Sequence, residues 1–153
     1  MTNQNIKNHT NIEQFKALLK KHSLKATAQR LAVHEAMMHL GHASADMVTE
    51  TIREKGETKV TIASVYNILT QLALLGIYDY RLSANNKMYF DINTFPHMHI
   101  YDMEQHKYKD LLDDELLNMV TEHLKHKKFR GFKVEHIDIQ LIGRSSRKKF
   151  QTV

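Results

Sequence analysis

Apolar positions along the first half of the chain recur at helical spacing, and polar caps mark where each stretch begins. Ile12, Phe15, Leu18 and Leu19 predict a helix over 12–21. Thr27 is placed to cap a second helix through Val33, Ala36, Met37 and Leu40, which Gly41 ends. Ser44 opens a third through Ala45, Val48 and Ile52 that stops near Gly56. A fourth, TIASVYNILTQLALLGI, starts at Thr61 and carries Ile62, Val65, Leu69 and Leu72 as one apolar stripe. After Gly76, IYDYRL and KMYFDI flank SANN, whose Asn85 and Asn86 suit a hairpin turn. Three helices followed by a hairpin is the layout of a winged helix-turn-helix.

From His99 the pattern shortens. IYD and YKDL read as short strands, DDELLNMVTEHLKHKK as a helix, and KVEHIDIQLIG as a last strand. Asp113 and Asp114 suit the positive end of that helix dipole, and Lys125, Lys127 and Lys128 the negative end. Leu117, Val120 and Leu124 form a stripe expected to face a core, and Ile137, Ile139 and Leu141 alternate as though one strand face is buried. The fold class is therefore α+β, with an N-terminal winged helix-turn-helix domain and a small α/β domain behind it.

The outer face of the fourth helix holds Ala63, Asn67, Thr70 and Gln71 and no charge. A solvated helix usually carries Lys and Glu there, whereas a helix in a DNA major groove needs short polar side chains. Both readings of that face stand on pattern alone. Charge favours an acidic partner: 22 Lys and Arg against 17 Asp and Glu give +5, with a pI near 9.3. The excess sits forward, 11 basic against 7 acidic residues through Phe90 and 11 against 10 from Asp91 onward. With 42% apolar residues, 153 residues can build a core or two small ones. The absence of cysteine excludes disulfides and thiolate metal sites and fits a cytoplasmic location. No run is apolar enough for a membrane span, and MTNQNIKNHT has no signal-peptide core.

The stretch YFDINTFPHMHIYD contains the chain's only proline, with Asp91 before it and His97 and His99 after it. Alternate strand residues share a face, so the two histidines are either solvent-facing, as some of eleven histidines must be, or paired donors.

The order KATAQRLAV, GHASAD, TIASVYNIL, YFDINTFPHMHI resembles the ferric uptake regulator (Fur) family over residues from about Ile12 to Leu141. Within it the chain is most similar to the peroxide-responsive (PerR) branch, in which an asparagine follows the recognition-helix tyrosine, as Asn67 follows Tyr66. Composition gives a flexible polar arm over 1–11 and a solvated basic tail over 144–153, and the resemblance implies a winged-helix DNA-binding domain over 12–92, a hinge over 93–96 and an α/β dimerisation and metal-sensing domain over 97–143. It further implies that His42, Asp91, His97, His99 and Asp110 hold a regulatory metal; the peroxide branch has aspartate at the position of Asp110 where others more often have glutamate. Three imidazoles and two carboxylates without sulfur suit Fe(II) or Mn(II), while Zn(II) can compete in vitro. Such an ion would fix the relative orientation of two domains. In the peroxide-responsive branch, bound iron reacts with peroxide and a ligand imidazole is oxidised, which points to His42 and His97. The implied protein is a homodimeric repressor of palindromic operator DNA, with Ala63, Ser64, Tyr66 and Asn67 in the groove and Lys25, Arg30 and Lys59 on phosphates.

One departure stands out: many relatives bind a structural zinc with two CxxC pairs, and the positions of the first pair are Asp102 and Gln105 here. His106, His123, His126 and His136 read as surface residues. An iron or manganese uptake regulator on the same fold is the alternative to peroxide sensing. A hydrolase built on His97 and His99 lacks an accompanying general base, so no enzyme activity is expected.

Overall fold

The computed structural model describes residues 9–146. Residues 1–8 of the expected arm and 147–153 of the expected basic tail lie outside the described residues. The chain divides into two compact units, one ending at Thr94 and the other beginning at Phe95.

The first unit begins with α1 (Ile12–Lys21), whose Asn11 cap and Gln14 close a reciprocal capping box. Thr27 caps α2 (Ala28–Leu40), Ser44 caps α3 (Ala45–Lys55) and Thr61 caps α4 (Ile62–Leu74), each side chain accepting a backbone N–H three residues on. Gly56 ends α3 in the left-handed region at φ 74°, where a side chain would be strained. Two-residue strand β1 (His42–Ala43) lies between α2 and α3, and β2 (Asp79–Leu82) and β3 (Met88–Asp91) form the expected hairpin. The three strands make an antiparallel sheet in the order β1-β3-β2. Asn86 takes the positive φ, 62°, that the turn requires.

Phe15, Leu19, Val33, Met37, Val48, Val65, Leu69 and Leu72 form the centre of this unit's core. At about 1.5–3 kcal/mol for each fully buried large side chain, this cluster is what holds the helices together. Ile62, assigned to the α4 stripe by spacing, is instead 47% exposed. It occupies the first helical position, a turn before the stripe enters the core.

The second unit contains β4 (Met98–Asp102), β5 (Lys107–Leu111), α5 (Asp114–Lys125) and β6 (Gln140–Gly143). Its sheet runs β5-β4-β6, with β4 antiparallel to β5 and parallel to β6. Here the expected burial fails in two places. No residue of α5 is buried in the single chain: Leu117, Val120 and Leu124 are half-buried and Met119 is 63% exposed. The last strand is also shorter than its alternation suggested, and Leu141 is exposed, with Ile137 and Ile139 only half-buried. A three-stranded sheet and one helix offer too little surface to cover each other.

A buried histidine joins the first unit's helices to its hairpin side. His34 stacks on Phe15 with ring centroids 4.0 Å apart, its Nε2 lies 2.7 Å from the Thr10 carbonyl and its Nδ1 2.6 Å from the Tyr78 hydroxyl. A carbonyl only accepts, so Nε2 carries the proton and Nδ1 accepts from Tyr78, whose hydroxyl burial keeps protonated. Desolvation by burial lowers the His34 pKa to about 4, against the opposing Thr10 hydrogen bond and with the help of nearby His9. The folded protein therefore binds fewer protons here than the unfolded chain between pH 6.5 and 4, so stability is full above that window and is lost as pH falls through it. Denaturant titrations should show about 2 kcal/mol less stability at pH 5 than at pH 7 from this group, and His34→Gln should flatten that slope. An unchanged slope in the variant contradicts the assignment.

Candidate metal centre and nucleic-acid interface

In the first unit the chain leaves α2 through Gly41 and enters β1, which pairs with β3 so that His42 stands opposite Asp91. Asp91 is fully buried. Its Oδ2 lies 3.4 Å from His42 Nδ1 and 3.2 Å from Arg81 Nη1, and its Oδ1 accepts the Asn93 N–H at 2.9 Å. A carboxylate removed from water needs such partners, and Arg81, only 6% exposed, supplies the opposite charge. Sequence reasoning missed Arg81. Strand alternation around it gives the apolar Tyr80 and Leu82 to the exposed face and the arginine to the buried one, the reverse of the usual pattern.

In the second unit, His97 and His99 point to one side and are 7% and 1% exposed, which excludes the solvent-facing alternative for this pair. Register again sets the partner: His99 is opposite Asp110 across β4 and β5. His97 Nδ1 is 2.6 Å from the Phe95 carbonyl, which assigns a proton to Nδ1 and leaves Nε2 as the nitrogen that can serve as a metal donor. Yet His97 Nε2 lies 3.1 Å from Asp110 Oδ1, and His99 Nε2 lies 3.9 Å from that same oxygen. Two imidazole nitrogens converging on a carboxylate oxygen form an arrangement that a cation relieves. His97, His99 and Asp110 each offer a donor atom within 4.8 Å of the others, as do His42 and Asp91 in the first unit. The donors are nitrogen and oxygen only, a set that fits a divalent ion of borderline or hard character.

Two further contacts escaped the sequence. Asp138 Oδ1 lies 3.4 Å from His99 Nδ1, the nitrogen turned away from Asp110. Asp102 accepts the Glu104 and Gln105 N–H groups at 2.8 and 3.1 Å and the Ser145 hydroxyl. The Ser145 hydrogen bond, with that of Gln105 behind it, holds the Asp102 carboxyl below its ordinary value. His106, His123, His126 and His136 are all exposed.

On α4, Ala63, Tyr66 and Asn67 are exposed, and the Tyr66 ring meets Phe90 edge-on at 6.4 Å. Ser64 is half-buried, and its hydroxyl is engaged with Thr61 in the capping box. Lys25 and Lys59 are exposed. Arg30 is half-buried and braces α2 against α4, donating to the Lys25 carbonyl at 2.9 Å and to Gln71 Oε1 at 3.1 Å. Among the described residues, no helix is long and apolar enough to cross a membrane.

A model of the ferric uptake regulator family matches residues 21–142. The solved ferric uptake regulator of Vibrio cholerae is similar in fold, with a TM-score of 0.73, 22% identity, and coverage of 86% of this chain and 99% of that one. That of Pseudomonas aeruginosa, solved with manganese, gives 0.67 at 24% identity over 86% and 98% of the two chains. The Campylobacter jejuni peroxide stress regulator gives 0.63 at 28% identity over 86% and 96%. A search of curated proteins finds no significant match. The match to the family model spans most of the chain, and the chain therefore belongs to the ferric uptake regulator family of metal-dependent transcriptional regulators, which are not enzymes.

Proposed function

We propose that this chain is a homodimeric repressor that binds palindromic operator DNA when Fe(II) or Mn(II) is held by His42, Asp91, His97, His99 and Asp110, and that peroxide releases it by oxidation of His42 or His97. The observation that carries the reading is the convergence of His97 Nε2 and His99 Nε2 on Asp110 Oδ1, a donor group preformed by strand register. His42 and Asp91 add a second preformed pair. One ion drawing on both sets would hold the two units in a single orientation, and its binding free energy would favour that orientation over all others.

The DNA-binding part of the proposal rests on the uncharged exposed face of α4. Tyr66 offers a ring to a thymine methyl, Asn67 a bidentate donor and acceptor to a base edge, and Ala63 close approach. Lys25, Arg30 and Lys59 supply positive charge for phosphates, while Ser64 contributes chiefly by fixing the start of the helix. The dimer is supported by apolar side chains of the second unit that one chain leaves exposed, among them Met119, Phe132, Leu141 and Ile142. Peroxide sensing is favoured over metal-uptake control by Asp110, by Asn67 after Tyr66, and by the similarity to the Campylobacter jejuni peroxide stress regulator.

Replacing Asn67 by Ala should cost about 1–3 kcal/mol on the preferred operator and relax sequence preference at one position. Lys59→Ala should weaken binding to all sequences alike and reduce the salt slope by about one per half-site, about two for the dimer. Affinity and preference both unchanged in Asn67→Ala would remove α4 from the groove.

Fe(II) held by these residues would supply reducing electrons to peroxide, and Mn(II) in the same donor set would be far less reactive toward it. With anaerobically loaded protein, a low dose of peroxide should abolish operator binding of the iron form and add one oxygen to a peptide containing His42 or His97, while the manganese form keeps binding. The eight methionines are the competing targets. Oxygen found only on methionine, or undiminished DNA binding by the iron form, would leave a metal-uptake regulator instead.

A further inference from the structure

The three strands of the second sheet place a chain of polar contacts behind His99. His99 lies in the central strand, facing Asp110 of β5 on one side and Gln140 of β6 on the other. The Tyr108 hydroxyl donates to Gln140 Oε1 at 3.0 Å, and Gln140 Nε2 donates to Asp138 Oδ2 at 2.8 Å. The other oxygen of Asp138, Oδ1, stands 3.4 Å from His99 Nδ1. The Tyr108 ring also meets the His99 ring edge-on, with centroids 5.9 Å apart, so the imidazole is confined by its neighbours.

A neutral imidazole has one N–H and one lone pair, and which nitrogen carries which follows from the groups and charges that each nitrogen faces. A carboxylate can only accept. The Asp138 carboxylate stands close to Nδ1 as a charge contact and not as an aligned hydrogen bond, and its negative charge favours the proton on Nδ1 and the lone pair on Nε2, the nitrogen turned toward Asp110. His97 reaches the same state by a different route, through the Phe95 carbonyl. We propose that Asp138, held by Gln140 and Tyr108, is a positioning residue that fixes His99 in its metal-donating tautomer. The inference rests on the reading of His99 as a metal ligand. Carboxylates that orient ligand imidazoles in this way commonly carry about 10- to 100-fold in metal affinity.

The test uses the full chain, with two readouts. Long-range proton–nitrogen correlations of the metal-free protein report which nitrogen of His99 is protonated, and Mn(II) titration followed by electron paramagnetic resonance reports affinity. Wild type and Asp138→Asn, which keeps an acceptor oxygen, should show the proton on Nδ1. Asp138→Ala should lose that preference and bind Mn(II) about 10- to 100-fold more weakly. Asp138→Ala with the wild-type tautomer, or with affinity within about twofold of wild type, overturns the proposal. His99→Ala separates the two levels: if it weakens Mn(II) binding while Asp138→Ala does not, only the role of Asp138 fails, and if neither does, the ligand set fails with it.

Discussion

Strand register is the constraint on which the candidate metal centre depends. His42 faces Asp91 across β1 and β3, and His99 faces Asp110 across β4 and β5. Because strand side chains alternate with period two, a slip of one residue in either pairing would send a donor to the opposite face. The two sheets secure register differently. In the first, Asp91 is pinned from three directions, by His42, Arg81 and the Asn93 N–H, and slippage would strand a buried charge. In the second, Met98, Tyr101 and Tyr108 are buried on the sheet and the Tyr108 hydroxyl is tied to Gln140.

The two units differ in how they reach stability. The first has a continuous apolar core running through all four of its helices, capped at each helix start and tied to the hairpin side by His34 and Tyr78. The second buries few large apolar side chains within one chain and leaves α5 and the end of β6 uncovered. Association of two copies would give that surface its missing cover. Asp102 closes the β4–β5 turn by accepting the Glu104 and Gln105 N–H groups, and its contact with Ser145 ties that turn to the chain leaving β6.

Much of this was legible in the sequence where the signal is local. Thr27, Ser44 and Thr61 cap helices because a hydroxyl three residues before a free N–H is a short-range matter, and Asn85-Asn86 marks a turn for the same reason. The candidate donors were legible as residue types and as a resemblance, but their partners were not. Arg81 meets Asp91 across β2 and β3, Asp138 meets His99 from the segment before β6, and nothing in their own segments distinguishes them from surface charges. Strand β1, two residues long, is too short to carry a period. The α5 stripe misled because periodicity reports that a face is apolar and not which chain covers it. Ile62 misled because it sits at the helix start, where the stripe has yet to reach the core.

The central claim is that one ion answers to donors from both units. A double-mutant cycle on Mn(II) affinity tests it most directly, with His42→Ala for the first unit, His97→Ala for the second and the double variant. The account predicts one Mn(II) per chain in the wild type, a loss of at least about tenfold in each single variant, and a double variant weaker than either but by less than the product of the two losses, as expected for residues sharing one partner. Two independent ions per chain, or a His42→Ala variant that binds Mn(II) as tightly as the wild type, would contradict it.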